Sequence, residues 1–91
     1  MTIHNDYVAL CRFRQQLEET SKNLRDQLRK TEAAIETVAQ GWKDVQFEQF
    51  KNGFEEDKEI IDPLCKEIDD FNNVLLQPLQ GTIKRYLELE N

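Results

Sequence analysis

The side chains best equipped for chemistry in this 91-residue sequence are carboxylates, crowded into Glu55-Glu56-Asp57 and into Glu67, Asp69 and Asp70. Carboxylates serve acid–base catalysis or cation binding when a fold places them in different environments or around one ion. Here no calcium-loop pattern frames them, and unframed acidic clusters read as a solvated face. His4 is the sole imidazole, so neither a Ser-His-Asp nor a Cys-His relay can be assembled. Cys11 and Cys65 lie far apart, without the partners a zinc site needs. They read as two reduced packing thiols, with a disulfide within or between chains as the alternative. No Gly-rich phosphate loop, H-E-x-x-H or G-x-S-x-G motif occurs, and no Glu-x-x-His pair that a di-iron bundle would use. The sequence therefore predicts no catalytic, cofactor-binding or metal-binding residues, and no enzyme.

Chemistry being absent, the elements themselves carry the message. Hydrophobic residues form 38% of the chain and charged ones 33%, too apolar for obligate disorder and too charged for a membrane span. Three glycines and two prolines supply few turns, which argues against a β-rich fold. Residues 1–45 carry seven basic and seven acidic side chains, and residues 46–91 carry five and eleven. The net charge of -6 thus lies in the second half, which disfavours binding to nucleic acid. No basic segment followed by an apolar one opens the sequence, so a classical secretory signal is not expected, nor is a transmembrane segment.

The apolar residues recur at helical spacing. Leu10, Leu17, Leu24, Thr31 and Val38 are seven apart, and Tyr7, Arg14, Ser21, Leu28 and Ile35 form a second series offset from them. Together they make one stripe on a helix over about 5–39, weakened where Arg14 and Ser21 interrupt it. Asn5 or Asp6 is the expected cap, and Glu18–Lys22 and Asp26–Lys30 the expected supporting pairs. Gly41 is expected to end the helix in a left-handed C-cap, with a turn at about 40–44. A second helix over about 45–77 opens at Asp44, whose carboxylate can accept first-turn amides.

The second stripe is the more regular. Phe47, Phe54, Ile61, Ile68, Leu75 and Thr82 recur every seven residues, beside the companion series Phe50, Asp57, Leu64, Phe71 and Pro78. With Leu17, Leu24, Leu28 and Ile35 of the first helix, Phe47, Phe54, Ile61, Leu64, Ile68, Phe71 and Leu75 form the expected core seam or interface. Asp57 falls within it, where Arg25, Arg29 or Lys30 could pair with it and fix the register. Pro63 predicts a kink rather than a stop, because the stripe keeps its phase across it. After Pro78 and Gly81 the phase moves to Leu79, Ile83, Tyr86 and Leu87, which predicts a bent continuation or separate helical tail over about 79–89.

The fold predicted is all-α: one antiparallel two-helix hairpin with a kinked or separate C-terminal extension. Its apolar surface exceeds what one neighbouring helix covers. Two closures are open: a second hairpin completing a four-helix bundle, or the tail folding back as a third helix.

Trp42 beside Gly41 and Asp44 stands at the turn, where an indole can plug the end of a bundle, form a recognition patch, or do both. The chain here resembles the WXG100 (ESAT-6-like) family of small type VII secretion substrates, helical hairpins of about this length with a Trp-x-Gly turn near the middle. Trp42 matches the motif tryptophan and Phe50 the apolar residue that follows it. Asp44 stands where the family usually has glycine. Tyr86 and Glu90 reproduce the spacing of the family's Tyr-x-x-x-Asp/Glu export signal. The resemblance implies a homodimer or a pairing with a small helical sister protein, recognition by a secretion ATPase, and secretion without a cleaved signal peptide. A cytoplasmic helical adaptor or scaffold binding another coiled coil is the alternative.

Overall fold

Thr2 lies in extended backbone, and its hydroxyl accepts the Asn5 amide at 3.2 Å. That bond starts α1 (Ile3–Ala39), so the cap is Thr2 rather than Asn5 or Asp6. Asp6 sits instead in the first turn, where a negative charge suits the helix dipole. In this computed structural model, which describes residues 2–89, three further helical pieces follow: α2 (Val45–Asp70), a π-helical segment (Phe71–Leu76) and α3 (Gln77–Leu89). The architecture is an all-α helical hairpin, with no strand among the described residues.

The turn is tighter than a glycine cap would make it. Gln40, the C-cap, keeps right-handed helical angles, and no glycine has positive φ. The Gly41 and Trp42 amides both donate to the Val38 carbonyl, at 3.2 and 2.9 Å. Gly41 therefore does not end the helix through a left-handed conformation; an overwound last turn does. Asp44 then opens α2, its carboxylate accepting the Gln46 amide at 2.6 Å.

A chain of this length packed as a ball has a radius of gyration of about 12 Å. The observed value is 20.0 Å, and the molecule measures 67 × 19 × 16 Å. So slender a rod has one seam for a core. Among the described residues, Ile35, Cys65 and Leu76 are the buried apolar side chains, with Ser21 and Asn72 beside them. Fourteen large apolar side chains are exposed, and that imbalance is the main physical fact about the molecule.

Neither proline stops the second arm. Pro63 lies exposed inside α2. Pro78 falls in the first turn of α3, directly after the π segment, where the Gln77 amide reaches back five residues to the Asn72 carbonyl. A proline ring crowds the carbonyl four residues before it, and the widened turn lies where that crowding would act. The segment contains one residue more than regular α-helix needs, which is the physical origin of the phase shift legible in the sequence. Ile83 and Leu87 turn toward α1, whereas Leu79 and Tyr86 remain exposed.

Gly53 and Gly81 lie inside helices, and a Cβ added to either meets nothing within 4 Å. Gly53→Ala and Gly81→Ala should each stabilise the hairpin by up to about 1 kcal/mol. Thermal unfolding of the double variant should show a midpoint higher by roughly 5–10 °C.

Candidate helix-docking face

The seam is built from matched layers. Ser21 and Cys65 are 1% and 0% exposed, and they face each other between α1 and α2. The Cys65 thiol faces the Ser21 carbonyl at 3.9 Å, and the Ser21 hydroxyl faces the Cys65 carbonyl at 3.5 Å. Two small side chains at one level let the backbones come this near. One layer toward the open end, Arg14 Nε donates to Asn72 Oδ1 at 2.8 Å, while Asn72 Nδ2 donates to the Arg14 carbonyl at 3.2 Å. The same guanidinium also reaches Gln80 in α3. Toward the turn, Lys58 Nζ meets Glu32 at 2.9 Å. No buried side-chain nitrogen or oxygen among the described residues lacks a partner.

These layers divide the residues expected in the core seam or interface. Phe47, Phe54, Ile61 and Ile68 do turn inward, as do Leu17, Leu24, Leu28 and Ile35. Their companions on the second arm, however, are Lys51, Lys58 and Cys65 of α2 and Asn72 of the π segment. Phe50, Leu64, Phe71 and Leu75, expected inside or beside the seam, are exposed. Arg14 and Ser21, which read as interruptions, are what selects this arrangement: they offer hydrogen bonds and close approach to Asn72 and Cys65, not to Phe71 and Leu64. Asp57 is exposed too, and no ion pair joins it among the described residues. Its expected partners are occupied or elsewhere: Arg25 binds Asp69 and Arg29 binds Asp26. The Asp26–Arg29 contact also replaces the expected Asp26–Lys30 pair, and Glu18–Lys22 forms no ion pair.

One broad face of the rod is charged. Glu18, Lys22, Arg25 and Arg29 of α1 and Asp62 and Asp69 of α2 line a shared groove. Hydrogen bonding from the Ser21 hydroxyl, then from the Arg25 guanidinium, holds the Asp69 carboxyl below its ordinary value near 3.8. The same bond to Asp69 holds the Arg25 guanidinium above its usual value, and the bond to Glu32 does likewise for the Lys58 ammonium. A lowered carboxylate stabilises the fold above its unfolded value and loses that contribution as pH falls through the folded one. Asp69→Asn should therefore lower the urea midpoint at pH 7. The gap between variant and parent midpoints should narrow as pH falls below 3.8.

Helical geometry assigns the opposite face. If Glu18, Lys22 and Arg25 flank the α1 seam on one side, Phe13, Thr20, Gln27, Thr31 and Val38 flank it on the other. In an antiparallel pair the matching flank of the second arm lies beside them, and it carries Phe50 and Leu64 of α2 and Phe71 and Leu75 of the π segment. Leu79 and Tyr86 continue it along α3, because the π segment rotates that helix by one residue. Phe71, Leu64, Phe13 and Phe50 are 44%, 46%, 47% and 58% exposed. A second helical surface could cover this largely apolar face.

No family model, curated protein or solved structure matches the chain. The described residues contain no group of three or more His, Cys, Asp or Glu side chains placed to hold a metal ion. Cys11 and Cys65 are free thiols, not a disulfide. None of the described helices is long and apolar enough to cross a membrane.

At the turn, Trp42 stacks on Phe47 with ring centroids 5.8 Å apart and planes 12° from parallel. It is 57% exposed, so it staples the entry of α2 without plugging the end of the rod. Phe50 stands apart from this stack, one turn further along. Asp44, two residues after Trp42, caps α2 with its carboxylate. Of the Tyr86–Glu90 pair, Tyr86 lies on α3 and is exposed, while Glu90 is outside the described residues.

Proposed function

We propose that this chain is a non-enzymatic helical interaction protein of the WXG100-like kind, acting by laying its apolar face on another helical surface. The observation that carries this reading is the unequal treatment of the two broad faces: one bears paired charges, and the other bears Phe50, Leu64, Phe71 and Leu75 in water. Covering a stripe of this length with a second hairpin completes a four-helix bundle. Burying it contributes about 25 cal/mol for each square ångström of apolar surface removed from water.

The hairpin form, the tryptophan at the turn and Tyr86 on the last helix support export as a homodimer or heterodimer through a type VII-like system and its secretion ATPase. In a host with such a system, the protein should reach the medium without cleavage. Tyr86→Ala should leave the cellular level unchanged and abolish the extracellular signal. Retention of the parent protein inside the cell, together with a stable helical complex, would assign it instead as a cytoplasmic adaptor. Leu64→Glu with Phe71→Glu tests the face itself and should prevent pairing under either reading. Full pairing by that double variant would sink the assignment of the face.

A further inference from the structure

We propose that Asp57 makes the apolar face selective, rejecting a second copy of this chain and admitting a partner helix that carries a lysine or arginine within its own apolar stripe. The inference rests on the docking-face reading above and names the partner's chemistry.

Asp57 stands midway along the exposed stripe, one heptad from Phe50 on one side and from Leu64 on the other. Its neighbours at helical spacing are Gly53, Phe54, Ile60 and Ile61, none of which can answer a carboxylate. The adjacent Lys58 is turned into the seam and bound to Glu32. Across the face, the α1 flank from Phe13 to Val38 presents Thr20, Gln27 and Thr31 between its apolar residues, and no cation. The basic residues of α1 in this region lie elsewhere: Lys22, Arg25 and Arg29 line the opposite groove, and Lys30 projects from the back of the helix.

A second copy seated on this face would bring another such face, with no positive charge to offer. Each Asp57 would then lose water without gaining a partner, an arrangement that strongly opposes association. A cation placed opposite turns the same carboxylate from an obstacle into a selective contact, as polar residues do inside coiled-coil seams.

The test uses the full chain, Asp57→Leu, and two synthetic amphipathic helices of about four heptads. The helices carry leucine at every seam position, except that one has a single central lysine. Sedimentation should show the parent monomeric across micromolar concentrations and Asp57→Leu self-associated. Titration should show the lysine helix binding the parent about tenfold more tightly than the all-leucine helix, with the preference reversed for Asp57→Leu. A parent dimer as tight as that of Asp57→Leu would overturn the proposal by making a second copy the occupant, while leaving the docking face standing. Equal binding of the two helices to the parent would overturn it by removing the selectivity. If neither helix binds and Asp57→Leu stays monomeric, the face does not dock helices, and the reading beneath fails with it.

Discussion

Deleting Val74 should leave the hairpin folded, with a thermal midpoint equal to or above that of the parent, while deleting Glu59 should unfold it. Both are single exposed residues of the same arm, so the contrast isolates helical phase. Val74 is 72% exposed and lies inside the π segment. Removing it lets the arm run as uninterrupted α-helix, and Leu76, Ile83 and Leu87 keep their places toward α1. Glu59 lies in regular helix. Its loss turns everything beyond it by about 100°. Asp62, Lys66, Asp69 and Asn73 would then occupy the levels held by Ile61, Cys65, Ile68 and Asn72, and the seam would have to bury charge. Circular dichroism with thermal melts checks both variants. A folded Glu59 deletion, or an unfolded Val74 deletion, would refute the description of the π segment as one inserted residue.

Ser21→Leu should cost about 3 kcal/mol, and Ser21→Ala about 1 kcal/mol. At the 1%-exposed Ser21 site the isobutyl group has no room, because Cys65 opposite it is fully buried. Separating the backbones there also stretches the paired Arg14–Asn72 layer, whose bonds run in both directions between α1 and the second arm. A rod with so few buried apolar residues has little stability to lose. The melting temperature of Ser21→Leu should fall on the order of 15 °C. Chemical denaturation of both variants measures the difference. Equal losses for leucine and alanine would show that the hydroxyl matters there and the closeness does not.

The outline of the fold was legible because helical periodicity is a strong signal in a chain poor in glycine and proline. Phe47, Phe54, Ile61 and Ile68 lie toward the seam, as their seven-residue spacing indicates. The rotation of that stripe was not legible. Either flank of the series can serve as its companion, and counting apolar residues favours Phe50, Leu64 and Phe71. The choice was made by reciprocal pairing across the hairpin, Arg14 with Asn72 and Ser21 with Cys65, which no single stripe displays. Asp57 was misplaced for the same reason, since it travels with the flank that stays outside. The C-terminal phase shift showed in the order of Leu79, Ile83, Tyr86 and Leu87. Its cause, a π turn ahead of Pro78, did not, because one added residue resembles a change of helix. Gly41 misled through composition: the turn has the glycine but not the left-handed angle.

The inserted residue also explains how α3 can be greasy on two sides. Uninterrupted α-helix would turn Leu75 and Tyr86 inward and bring Arg85 to the docking face, breaking the outer stripe. With the π turn, Leu76, Ile83 and Leu87 face inward while Leu75, Leu79 and Tyr86 extend the outer stripe past Phe71. The same segment therefore closes the hairpin and lengthens the surface offered to a partner.

The layered seam has a mechanical consequence. The described ends, Thr2 and Leu89, emerge at the same tip of the rod, opposite the turn. Tension applied between them loads the crossbars singly rather than all at once: Arg14–Asn72 gives way first, then Ser21–Cys65, and Lys58–Glu32 last. A chain tugged this way peels apart like a zipper, at low force and through successive shortenings of the joined portion. The thiol of Cys65, sealed until the middle tooth opens, records how far the peeling has gone.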